Sequence, residues 1–194
     1  MVCEGENLRK GLAASAVLAS VLLAGCSGGS GEPVPTGTGT PQEQVTSEAP
    51  ATQSARTAPA KSLEIGDRCA IISEAQVKEL GADQAPRERE SNGKPGCSYG
   101  RGTAGVDATV FVAVDKSSTM QKYAESATKE PEKSEIAGYP AVQVSLVETN
   151  CTLVLDVSDQ GSLFVNTVVS SADPNPCELS KRFAEAALQN LPNA

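Results

Sequence analysis

The chain has 194 residues, a net charge of −8, 39% hydrophobic but only 3% aromatic residues, and no histidine. The acidic balance argues against nucleic acid, which recruits basic patches. Without imidazole, His-dependent triads and the usual zinc hydrolase sites are excluded.

In chain order the first element is a leader. Arg9 and Lys10 precede an uncharged run of thirteen residues, Gly11 to Leu23. A spanning helix needs ~20 apolar residues, so the run fits the apolar centre of an export signal. It ends Leu23-Ala24-Gly25-Cys26, which resembles the bacterial lipobox. That resemblance implies a diacylglyceryl group on the Cys26 thiol and removal of residues 1–25. It also implies a mature protein anchored to the extracytoplasmic face of the cell membrane without spanning it. Acyl anchoring draws ~0.8 kcal/mol from each buried methylene. A plain secretory signal that happens to carry a cysteine is the alternative.

Residues 26–62 then read as the lipidated cysteine and a stalk. Ser27 to Ser62 has no aromatic residue and no Leu, Ile or Met. It cannot bury enough apolar surface to offset its ordering entropy, and disorder is expected.

Residues 63–194 carry the apolar clusters and the length of one domain. "IISEAQVKELG" predicts a short helix with a Ser73/Gln76 capping box and Gly81 as its stop. "KPGCSYG" and "VDATVFVAVD" predict two strands, the second with Val106, Ala108, Val110, Val112 and Val114 on one face. "SSTMQKYAESAT" predicts a second helix capped by Ser118 and Gln121. "PAVQVSLV", "CTLVLDV" and "SLFVNTVV" predict three hairpin-linked strands. "NPCELSKRFAEAALQNLP" predicts an amphipathic helix with Leu179, Phe183, Ala187 and Leu191 on its apolar face. The expected class is α+β, with one antiparallel sheet of five to six strands covered by three helices.

With Cys26 set aside, the domain holds Cys69, Cys97, Cys151 and Cys177. An even count in an exported chain implies disulfides. Of three pairings, Cys69–Cys97 and Cys151–Cys177 are favoured. If the Ser158–Gly161 turn joins two strands, Cys151 lies opposite about Val168, and a short turn returns Cys177 to its side. Without histidine or a C-x-x-C, the four cysteines form no zinc pattern.

The remaining motifs carry little chemistry. Gly100–Gly105 matches G-x-G-x-x-G but opens onto a strand where a nucleotide site needs a helix. Ser91–Lys94 and Ser126–Lys129 match S-x-x-K in unsuitable places. Glu130, Glu132 and Glu135, and the alternating Arg87-Glu88-Arg89-Glu90, read as solvated surface. Tyr99 and Tyr139 stand beside turns and read as packing at a sheet edge. No catalytic, cofactor or metal residues are assigned.

The leader, the stalk, "DRCAIISEAQVKELG", "CSY", "IAGYPAV", "CTLVLDV" and "DPNPCELSKRFAEAALQNLP" together are similar to a family of actinobacterial cell-envelope lipoproteins of unknown function. Family members show D-P-C where this chain has Asp67-Arg68-Cys69, and D-P-C where Asp173-Pro174-Asn175-Pro176-Cys177 inserts two residues. The resemblance implies an extracytoplasmic domain and no assigned activity. The strand–helix order also resembles the PsbP/Mog1-type sandwich. Function is expected to be non-catalytic binding of an envelope protein or small ligand. The alternatives are a carrier of an apolar, lipid-like ligand and an envelope enzyme using carboxylates.

Overall fold

The computed structural model describes residues 56–194. The leader, Cys26 and the stalk as far as residue 55 lie outside the described residues. The described elements are α1 (Glu74–Glu79), β1 (Arg87–Ser91), β2 (Lys94–Arg101), β3 (Ala108–Asp115), α2 (Met120–Ser126), β4 (Glu132–Ile136), β5 (Tyr139–Val144), β6 (Asn150–Ser158), β7 (Gly161–Val169) and α3 (Pro176–Asn190). All seven strands form one sheet in the order β1-β2-β3-β7-β6-β5-β4, and every pairing is antiparallel.

The expected α+β class with five to six strands is therefore corrected to a mostly-sheet fold of seven strands and three helices. The extra strands are the two edges, and their sequences explain why they were missed. β1 is RERES and β4 is EKSEI, with little apolar surface on either face. Charged edges discourage pairing with other chains, and they also erase the hydrophobic alternation that marks a strand. Within β1 the alternating sign sorts charge by face. Arg89 stacks over the Phe111 ring, 5.7 Å from its centroid, while Glu88 pairs with Arg68. The sequence did hold a turn signal. Asn92-Gly93 and Ala137-Gly138 both sit at positive φ, as a two-residue hairpin between right-twisted strands requires.

The sheet buries both faces. On one face α3 packs over β3, β6 and β7, with α1 alongside it. The core there is Val and Leu with Tyr99 against Phe183, ring centroids 5.5 Å apart. On the other face, α2 lays Met120, Tyr123 and Ala124 over Phe111, Ala113, Val142, Val154 and Phe164. Among the described residues no buried side-chain polar atom lacks a partner.

Several local expectations change. The cap of α2 is Thr119, whose side chain accepts from the Lys122 N–H; Ser118 lies one residue outside. Cys151 sits opposite Thr167, one place from the expected Val168. Tyr99 belongs to the main core at 1% exposure and is not an edge residue. Residues 56–62, assigned by composition to a disordered stalk, lie on the domain. Thr57 N donates to Gly138 O at 3.0 Å, Lys61 N to Val157 O at 2.8 Å and Ser62 N to Pro192 O at 2.8 Å. Arg56 pairs with Asp156 and Asp159. Backbone hydrogen bonds and one guanidinium hold this segment where side-chain hydrophobicity could not.

Two positions make this architecture testable. A Cβ on Gly96 would lie 2.4 Å from Val112 O and 2.7 Å from the Phe111 ring. Neither neighbour can yield, since one is sheet backbone and the other is a buried core ring. Gly96→Ala is expected to lower unfolding free energy by about 2 kcal/mol or more, read from urea denaturation.

Asp115, 3% exposed, is the second position. Burial alone would raise its pKa. Bonds from the Ser117 hydroxyl and N–H and from the Lys94 ammonium outweigh that, and its pKa falls below the ordinary carboxylate value. A folded-state pKa below the unfolded one stabilises at pH above the unfolded value, and that contribution fades as pH falls through the folded value. Asp115→Asn is therefore expected to cost about 3 kcal/mol at neutral pH. The gap to wild type should close progressively below about pH 4, as followed by denaturation at stepped pH.

Candidate functional site

Among the described residues a large concavity lies along α1. Residues 73, 74, 77 and 78 recur at helical spacing, so Ser73, Glu74, Val77 and Lys78 share one stripe. Ser73 caps the helix through a reciprocal box with Gln76, as the sequence predicted. Gly81, at φ +79°, stops it. Gly81 N donates to Lys78 O and Ala82 N to Val77 O, the paired bonds of a Schellman ending. Hydrogen bonds at both ends of six residues explain how so short a helix stands at all, since an isolated turn is unstable in water.

Two flanking segments turn this stripe into a cleft of about 970 Å³. The first is Asp67–Ala70. The Asp67 carboxylate accepts from the N–H groups of Cys69 and Ala70, curling the chain before the helix. Cys69 is brought to disulfide-bonding distance of Cys97 on β2, with Cα atoms 5.0 Å apart. On the same strand the Tyr99 hydroxyl donates to Cys69 O at 3.0 Å. Burial, with a smaller push from Asp67, raises the Tyr99 pKa, so the phenol remains a neutral donor at ordinary pH.

The second wall is Asp83–Pro86. Asp83 N and Gln84 N both donate to Gly100 O at 3.1 Å. The Asp83 carboxylate in turn accepts from Gly102 N at 3.0 Å. The Gln84 side chain and the Gly102 N–H hold the Asp83 pKa below its ordinary value. Both walls are thus tied to β2, one by sulfur and phenol, the other by backbone.

The lining is mixed. Ile72, Val77, Ala82, Ala85 and Pro86 supply apolar surface, and Asp67, Glu74, Asp83 and Lys78 ring it with charge. Asp83 is anionic and occupied as a backbone acceptor, which suits positioning and not proton transfer. The sheet–helix interface beneath is closed. Leu153, Leu155, Val165 and Phe183 are at most 1% exposed. An apolar ligand would have no room there without repacking.

Other sequence candidates scatter. Gly100–Gly105 links β2 to β3 through a 3-10 turn at Thr103–Gly105 and opens no long helix. Ser91 and Lys94 flank the β1–β2 turn, and Lys94 pairs with Asp115. Lys129 Nζ is held by Ser145 O, and Ser126 Oγ bonds back to Tyr123 O. Glu132 and Glu135 lie on edge strand β4, with Glu130 exposed just before it. The Tyr139 hydroxyl bonds Pro59 O. Cys151 and Cys177 reach disulfide-bonding distance, Cα atoms 5.1 Å apart, on the α3 side of the sheet. Among the described residues no group of Cys, Asp and Glu is arranged to hold a metal. Sequence reasoning did not find the cleft. Its signals were present as an aspartate two before a cysteine and a helix-stop glycine, but nothing local shows that both ends return to one strand.

The chain matches the family described as protein of unknown function (DUF3558) over residues 21–190, and it belongs to that family. No curated protein and no solved structure matches it.

Removing the phenol should loosen one wall without opening the fold. Tyr99→Phe is expected to cost about 1 kcal/mol. Amide exchange should quicken at Cys69 and Ala70 far more than in β3 or β7, measured by hydrogen exchange. Uniform quickening across the sheet would mean that Tyr99 acts only as core filling.

Proposed function

We propose that this DUF3558 member is a lipid-anchored protein of the extracytoplasmic membrane face whose domain binds a ligand in the α1 cleft without catalysing a reaction. The single observation that supports binding is the cleft itself, an open hollow with apolar floor and charged rim whose two walls are fixed to β2. A site rigid before its ligand arrives loses little ordering entropy on binding. A small molecule or a short extended segment of an envelope protein matches the volume. The carboxylates that ring it are spread around a rim and not paired across a bond to be broken, which favours recognition over hydrolysis.

The anchor rests on the sequence: a charged leader, a thirteen-residue apolar run and the Leu23–Cys26 box. Two bridging-distance cysteine pairs agree with an oxidising compartment. An actinobacterial origin agrees with the same motifs.

One pair of variants tests both halves. Cys26→Ala should move the protein from the membrane fraction to the soluble fraction and lose labelled fatty acid. In the acyl-free chain, Ala85→Trp, on the exposed cleft wall, should fill the hollow. Titration with fractionated cell-envelope extract, followed by amide NMR, should shift α1 and residues 67–70 and 83–86 in the parent chain and leave them still in Ala85→Trp. Shifts confined to other surfaces, or equal in both chains, would contradict the cleft as the binding site.

A further inference from the structure

The two ends of the sheet differ in a way the cleft does not explain. Residues 56–62 run along the end that carries the β4–β5 and β6–β7 turns, held by Gly138, Val157 and Asp159. The chain that precedes Arg56 therefore joins the domain at this end. The opposite end carries the β2–β3 loop, the β5–β6 turn and the end of β7. Strands of 8–9 residues separate the two by roughly 25–30 Å.

All four exposed large hydrophobic residues named among the described residues lie at that far end: Val106, Leu146, Val147 and Val168, at 49–66% exposure. Val168 on β7 stands opposite Thr109 on β3 and Asn150 on β6. Val106 precedes β3, and Leu146 and Val147 follow β5. Four adjacent strands thus present them, about 15 Å across at ~4.8 Å per strand. Isolated exposed valines mean nothing, but a row at one end of a domain marks an interaction surface.

The presentation is rigid. Ser145 Oγ lies 2.9 Å from Val147 O and 2.8 Å from Asn150 O, and Asn150 N donates to Val147 O at 3.0 Å. Val169 N donates to Thr149 O at 2.9 Å. On the other side Asp107 N bonds Arg101 O and Ser170 N bonds Asp107 O, at 3.1 and 3.0 Å. Apolar side chains are held outward on loops that are already fixed, the pre-organised arrangement of a docking anchor.

Charge at this end selects the partner. Asp107 adjoins Val106, Glu148 adjoins Val147, and Asp173 is exposed in the loop after β7. Lys129, hydrogen-bonded to Ser145 O, and Arg101, within electrostatic reach of Asp83, also lie here, and the carboxylates outnumber them. We propose that this pole is a docking surface for a second envelope protein that presents an apolar side chain flanked by Lys or Arg. A second copy would bring the same carboxylates against themselves, and anionic lipid would be repelled by them.

The test uses the full chain in its own cells with a photoreactive phenylalanine at Leu146. Irradiation should yield a crosslink to a different protein, mapped by mass spectrometry to an apolar residue within a few positions of Lys or Arg. Glu148→Lys and Val168→Ser should each lower the yield at least threefold, with thermal unfolding unchanged. Crosslinks only to a second copy, to lipid or to residues 1–55 of the same chain would overturn the proposal. So would no crosslink, or a partner segment without basic residues. The Ala85→Trp cleft variant should leave the yield unaltered, which separates this surface from the cleft.

Discussion

Strand β2 is the element on which the cleft depends. It is second from the sheet edge, and it has no long apolar stretch of its own. What it offers is a cysteine, a tyrosine and a run of backbone at defined register. Cys97 pairs with Cys69, Tyr99 reaches Cys69 O, Gly100 O takes two N–H groups from the second wall, and Gly102 N caps Asp83. A bridge closing a loop of this length, 28 residues apart in sequence, stabilises by about 3.5 kcal/mol in the chain-entropy model. That is a large share of the 5–15 kcal/mol that holds a typical domain together. With only six Phe and Tyr and no Trp, the core has less area per residue to offer, and covalent ties replace aromatic burial.

The same economy shapes the rest. The second cysteine pair fixes the start of α3 to β6, one of the strands against which its apolar face packs. Glycines clear space where strands and rings must touch, as Gly96 does for Phe111. Hydrogen bonds and Arg56 dock residues 56–62 at one end of the sheet. The cleft has a mixed lining along α1, whereas the far pole presents exposed Val and Leu side chains beside carboxylates.

How much of this the sequence disclosed follows from burial. Strands with an apolar face, β3, β6 and β7, were legible from alternation, and the α1 box and α3 stripe from helical spacing. The two charged edges were not, because no core facing them imposes a pattern. Their hairpin turns, Asn92-Gly93 above all, were the signal that remained. The Cys151–Cys177 pair was legible from the geometry of the Ser158–Gly161 hairpin, although the register at Cys151 was off by one. The cleft escaped entirely, since it arises from residues 67–70 and 83–86 meeting β2 at long range. No local rule links Asp83 to Gly102.

The most direct test is non-reducing peptide mapping of the full chain isolated from its own cells with thiols blocked at lysis. The account requires two bridges, Cys69–Cys97 and Cys151–Cys177, with no free thiol in the domain. A reduced Cys69 and Cys97, or any linkage joining Cys69 to Cys151 or Cys177, would remove the tie between the cleft and β2 and contradict the site built upon it.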